Sequence, residues 1–104
     1  MVNVDNENFE VEVMESDIPV IIDFWAAWCT PCKIIEPMYT ELEKDFKGIV
    51  KFTKCNVDDN VRIVNRWNIR SVPTFMIFKD GDMLASASGT VNVRKMINNV
   101  LSGN

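Results

Sequence analysis

The chain has 104 residues, enough for one domain, spanning 1–104, around one hydrophobic core. Hydrophobic residues make up 47% and charged residues 25%, as in an ordinary globular protein, and the net charge of −4 argues against a nucleic-acid or anionic-membrane partner. There is no histidine and there are three cysteines, so no Ser-His-Asp or Cys-His nucleophile, no mixed Cys/His zinc site and no closed four-cysteine zinc site can be built.

Met1 to Glu15 is polar and acidic, without the basic and apolar regions of a secretory leader. No apolar run approaches the length of a membrane span. A cytoplasmic protein is expected. Val2 to Val4 reads as a short first strand. Asn6 or Asn8 is placed to cap a helix through Phe9, Val13 and Met14. Glu10 to Val13 also alternates with period two, as a strand would; the helix is preferred. Pro19 opens a strand over Val20 to Trp25, whose continuous apolar character fits a central strand covered on both faces.

A helix follows from about Cys29 to Phe46, with Ile34, Ile35, Met38 and Leu42 at turn spacing. Pro31 is tolerated because first-turn N–H groups have no helical partner. Pro37 lies inside the helix, removes the bond to the Lys33 carbonyl and should kink the axis. Gly48 ends the segment.

Val50 to Val57 reads as a strand, with Val50, Phe52, Lys54 and Asn56 on one face and Lys51, Thr53, Cys55 and Val57 on the other. Asp58, Asp59 and Asn60 form a capping cluster for a helix from Val61 to about Trp67. Thr74 to Phe78 is a strand, Lys79 to Asp82 a hairpin turn, and Met83 to Ala87 its partner. Gly89 marks a break. Asn92 caps a last helix, with Val93, Met96, Ile97, Val100 and Leu101 facing inward.

Between the apolar strand and the long helix sits Cys29-Thr30-Pro31-Cys32. Helical residues three apart lie about 5–6 Å apart at Cβ, whereas a relaxed disulfide wants about 3.5–4.5 Å. The two sulfurs can bond with local adjustment. The closed loop is so small that the chain-entropy gain is only roughly 2 kcal/mol. Such a bond suits exchange better than it suits holding a fold. A structural or metal-binding pair is the alternative, and the further ligands it needs are missing.

Asp23-Phe24-Trp25-Ala26-Ala27-Trp28-Cys29-Thr30-Pro31-Cys32-Lys33 is similar to the active-site block of the thioredoxin family. Pro37, Lys54, Val72-Pro73-Thr74, Phe78-Lys79-Asp80-Gly81 and Gly89 follow in the family's order and spacing, so the resemblance covers nearly the whole chain. It implies an α/β thioredoxin fold, a central mixed sheet of about four to five strands flanked by about four helices. It also implies a dithiol–disulfide oxidoreductase that reduces protein disulfides through Cys29 and Cys32. No bound cofactor is implied beyond that redox-active disulfide. The implied partners are disulfide-containing target proteins and a thioredoxin reductase or equivalent electron donor; a monomer is expected. Two features depart from the family pattern. Thr30 stands where thioredoxins usually have glycine, which bears on redox potential and partner preference, and Cys55 is an extra cysteine. Lys33 and the cytosolic features favour a reductase over an oxidase or isomerase on the same fold. A non-catalytic binding module is the other alternative, and the intact cysteine pair weighs against it.

The resemblance makes Cys29 the nucleophile, at the helix N-terminus and more exposed than Cys32, where the macrodipole and free N–H groups favour a thiolate. Cys32 then resolves the mixed disulfide. Asp23 ends an otherwise apolar strand. Its carboxylate is costly to ionise there, so its pKa should be raised, which suits an acid–base group for Cys32. Lys54 would tune it. A partly exposed strand-end aspartate paired with Lys54, or a merely solvated Lys54, are the alternatives. In the resembled family the Val72–Pro73 bond is cis and presents the Val72 backbone to an extended peptide, in the manner of strand addition; a plain strand-initiating proline is the alternative. Trp28, Thr30, Pro31, Val72, Pro73 and Gly89 form the implied substrate-binding surface, with Trp28 covering the site. Trp25, Met38 and Met76 read as core and Trp67 as an exposed apolar rim. Cys55 reads as a buried small hydrophobe, with a regulatory thiol as the alternative.

Overall fold

Val20–Trp25 (β2) is the spine of the molecule, and every one of its first five residues is buried. It runs parallel to Lys51–Asn56 (β3) and antiparallel to Thr74–Lys79 (β4). Val2–Asn3 (β1) adds in parallel outside β3, and Asp82–Ser88 (β5) adds antiparallel outside β4. The sheet order is therefore β1-β3-β2-β4-β5. The computed structural model describes residues 1–103; Asn104, the end of the expected domain, lies outside the described residues.

Alternation along the strands sends side chains to two separate cores. Ile21, Phe52, Phe75 and Ile77 meet Ile35, Tyr39 and Leu42 of helix α1 (Thr30–Asp45) and Val93 and Ile97 of helix α3 (Val93–Leu101). Val20, Ile22, Phe24, Cys55, Met76 and Phe78 meet Val4, Phe9, Val13 and, from helix α2 (Val61–Trp67), Ile63. A strand buried on both faces reads as a continuous apolar run, which is why β2 was legible. This is the thioredoxin fold, a mixed five-stranded sheet with helical segments on both faces.

The N-terminal helix forms as one wide π turn, Glu10–Met14, closed by the Glu15 N–H on the Glu10 carbonyl at 2.9 Å. Its lead-in is capped by Asp5, not by Asn6 or Asn8 as expected. The Asp5 carboxylate accepts from the Glu7 and Asn8 N–H groups, and Asn8 Oδ1 accepts in return from the Asp5 N–H. Asn6 serves another helix: its Oδ1 accepts from the Ile63 N–H at 3.3 Å, capping α2 from 57 residues away. Asn60, expected to cap α2 locally, instead accepts from the Asn6 N–H and donates to the Asn56 carbonyl.

On α1 the buried stripe is Cys32, Ile35, Tyr39 and Leu42. Ile34, expected inward, is exposed, and Tyr39 takes the core position with its hydroxyl donating to the Thr53 carbonyl at 2.7 Å. Leu101, also expected inward, is exposed at the last turn of α3. Trp67 is no exposed rim: it packs edge-on against Phe78 at 4.9 Å and beside Phe9 at 6.0 Å. The β4–β5 hairpin closes through Asp80 and Gly81, both at positive φ (52° and 81°), the conformation a two-residue hairpin loop requires.

Candidate active site

The end of β2 and the start of α1 bring the cysteines together. Cys29 is the N-cap of α1 and Cys32 lies in its first turn. They are joined as a disulfide with Cα atoms 5.3 Å apart. The Cys32 N–H donates to Cys29 Sγ at 3.2 Å. The chain therefore aims one of the unsatisfied N–H groups of the helix terminus at the Cys29 sulfur, where it would stabilise a thiolate. Both cysteines are buried, at 3% and 4% exposure. The greater exposure expected of Cys29 is absent from this oxidised form, because the pair packs with Ala26, Trp25, Val57 and Val72.

The rim carries the remaining motif residues. Thr30 and Pro31 are exposed on the first turn of α1. Trp28 is 69% exposed, and its indole N–H donates to Asp58 Oδ2 at 3.0 Å. The Val72–Pro73 bond is cis, and Val72 packs against the cysteine cluster. The Gly89 N–H donates to the Pro73 carbonyl at 2.8 Å, tying the start of β4 to the end of β5. Gly89 has φ of 85°, a conformation that suits glycine.

Behind the disulfide lies a pocket of about 270 Å³ lined by Asp23, Trp25, Ala27, Cys32, Lys33, Glu36 and Lys54. Asp23 is 3% exposed, and its Oδ1 has no hydrogen-bond partner. Burial pushes its pKa up to about 7; Lys54 pulls against that shift, and Glu36 adds to it. Lys54 is the neighbour of Asp23 in the β2–β3 register. Its ion pair, however, is with Glu36 Oε1 at 3.8 Å, and its ammonium stands 4.8 Å from the centroid of the Trp25 ring. Lys54 thus tunes Asp23 by its charge, as expected, while its ion pair is made to α1; the alternative, a partly exposed Asp23 paired with Lys54, is not what the structure holds. Trp25, expected in the core, is only half-buried. Among the described residues no cluster of His, Cys, Asp and Glu side chains is arranged to hold a metal ion.

Two site residues escaped sequence reasoning. Glu36 is one helical turn beyond Cys32, and that spacing alone could have placed it on the same face. Asp58 looked like part of a helix cap, and nothing local links it to Trp28, 30 residues earlier. Cys55 is buried on the opposite face of the sheet, its thiol pushed up to about 12, first by burial and then by the nearby Asp5.

A cysteine pair at the N-terminus of the helix that follows the central strand, with a buried carboxyl behind it, is the arrangement of a thiol–disulfide exchange protein. Sequence relatives give the particular family. A family model described as Thioredoxin matches residues 1–102. The thioredoxin of Rickettsia felis is 50% identical over 80 residues, covering 77% of this chain and 76% of its own. The thioredoxin of Haemophilus influenzae is 40% identical over 98 residues, covering 94% and 92%. That of Pseudomonas aeruginosa is 40% identical over 92 residues, covering 88% and 85%. The chain belongs to the thioredoxin family and is a dithiol–disulfide oxidoreductase with Cys29 and Cys32 as its redox pair.

Proposed function

We propose that this protein reduces disulfides of other proteins, with Cys29 attacking and Cys32 resolving. The Cys29 thiolate attacks one sulfur of the target disulfide. The target S–S bond breaks, one target sulfur leaves as a thiolate, and a mixed disulfide joins Cys29 to the other. Cys32 loses its proton to the Asp23 carboxylate and attacks Cys29 Sγ. The mixed disulfide breaks and the second target thiolate leaves. The target gains two electrons and, with protons from Asp23 and solvent, two thiols; the Cys29–Cys32 pair is oxidised. A reductase or equivalent dithiol donor restores it, so the chain serves as an electron carrier.

The observation that supports this reading is the N–H of Cys32 on Cys29 Sγ, with the Asp23 pocket opening on Cys32 from behind. The helix terminus favours charge on Cys29. A carboxyl with a pKa of about 7 is divided between acid and base at neutral pH, where a proton acceptor for a thiol is most useful. The pocket has room for a water to carry the proton. Trp28, Thr30, Pro31, Val72, Pro73 and Gly89 form the surface that meets an extended segment of the target. The protein works as one domain, as a monomer and in the cytoplasm; no described helix is long and apolar enough to cross a membrane.

Trapping tests the division of labour. Cys32→Ser, incubated with a disulfide-bonded substrate such as insulin, should accumulate a mixed disulfide on non-reducing gels, and Cys29→Ser should accumulate little. Equal trapping by both variants would remove Cys29 from its role.

A further inference from the structure

Lys54 has three candidate partners around one pocket. It stands beside Asp23 in the β2–β3 register, yet its ammonium lies against Glu36 and over the Trp25 ring. Asp23 is buried with an oxygen unpartnered. Cys32 and all four of these residues line the same pocket. Glu36 reaches it because it follows Cys32 by one turn on α1.

We propose that Glu36 is a positioning residue for proton transfer: it draws the Lys54 ammonium to the α1 side of the pocket and so denies Asp23 an ion pair. The inference rests on the reading of Asp23 as the acid–base partner of Cys32. An ammonium paired with Asp23 would favour the ionised carboxylate and weaken it as a base. Held by Glu36 and Trp25, the same ammonium still pulls the Asp23 pKa down but leaves burial to dominate, and Asp23 keeps its proton into the neutral range. The negative charge of Glu36 acts directly in the same direction. Few other groups compete. From α1, Lys33 lines the pocket, and Tyr39 is a buried neutral phenol donating to the Thr53 carbonyl. From β3 only Lys54 carries charge here, and β4 sets uncharged Phe75 opposite Asp23.

The test follows the Asp23 carboxyl itself, by carbon-13 NMR titration of the oxidised protein. The set is wild type, Glu36→Gln, Lys54→Met and the double variant. The Glu36 side chain is 59% exposed, so its replacement should not disturb folding. Glu36→Gln should lower the Asp23 midpoint by about half a pH unit, the size that an exposed ion pair commands. Lys54→Met should raise the midpoint. In the Lys54→Met background the Glu36→Gln shift should shrink, because only the direct field of Glu36 remains; Lys54→Gln gives a second background if the methionine variant folds poorly. A Glu36→Gln shift of equal size with and without Lys54 would show that Glu36 acts by its field alone and would overturn the proposal. An unmoved midpoint in Glu36→Gln overturns it too. The titration involves no turnover, so it stands apart from the acid–base reading. That reading fails separately, if Asp23→Asn leaves the pH profile of insulin reduction unchanged.

Discussion

At Asp23, burial removes the water that would solvate a carboxylate, and no hydrogen bond replaces it at Oδ1. The cost depends on pH in a definite direction. Below an unfolded value near 3.8 the group is protonated in both states and contributes nothing. As pH rises, the unfolded chain ionises first while the folded chain holds its proton, so stability falls. The loss accumulates until pH passes the folded value of about 7 and is constant above it. At one unit per 1.36 kcal/mol, the whole effect is on the order of 4 kcal/mol. Asp23→Asn keeps the shape and loses the titration. Urea unfolding of the oxidised protein should therefore show a variant that gains on wild type by a few kcal/mol between about pH 4 and pH 7, at the expense of turnover. A stability difference that stays flat across that range would mean that Asp23 is not a proton-holding carboxyl.

Among the elements, α2 shows how a helix can depend on distant chain. Its seven residues are too few to be stable alone, and its cap comes from Asn6. Asn6→Ala should cost about 1 kcal/mol, as losing an N-cap does, read as a lower urea midpoint with an unchanged slope. Loss of less than a few tenths of a kcal/mol would return the cap to the local Asp58–Asn60 cluster. The same distance explains what was legible beforehand. β2, α1, the β4–β5 hairpin and the α3 cap are written in local signals: an apolar run, helical spacing, Asp80-Gly81 and Asn92. The cysteine pair and Asp23 lie within one local stretch, so they were legible too. Asn6 on α2, Asp58 on Trp28 and Glu36 on Lys54 are meetings of separate segments, and no periodicity announces them. Tyr39 in place of Ile34 is a subtler miss: adjacent Ile34 and Ile35 differ by about 100° around the helix, and the buried stripe takes Ile35 and continues one turn on at Tyr39.

Taken as a whole, the molecule has two cores divided by one sheet, and both reach the chemistry: the first lies along the Asp23 pocket, and the second meets the cysteine cluster through Val57. The Asp23 pocket and α1 share a face with Tyr39 and Phe75. The other face is closed by the N-terminal segment, where Phe9 meets Phe78 edge-on at 5.9 Å and Arg66 lies over both Phe9 and Trp67. Cys55 belongs to that second core and is 1% exposed. In the oxidised protein it is the free thiol among the described residues, because Cys29 and Cys32 are bonded. Cys55 therefore reports whether the second face is closed. Phe9→Ala leaves a cavity there and should cost about 3–5 kcal/mol. Labelling of Cys55 by iodoacetamide requires opening, so its rate should follow the free energy of opening, about tenfold for each 1.4 kcal/mol. In wild type at neutral pH the label should enter only after unfolding. In Phe9→Ala, under conditions where the variant is still folded, labelling should accelerate by at least about tenfold. Reactivity of the Cys29–Cys32 disulfide toward dithiothreitol should stay within about twofold of wild type, because Phe9 is not among the side chains packed on the cysteine pair and Val57 is the one residue that packs on both clusters. Fast labelling of native wild type would instead mean that Cys55 is reachable without opening, and would revive a regulatory thiol. A Phe9→Ala variant that speeds both reactions equally would mean that the two faces open as one unit, with the sheet failing as a whole.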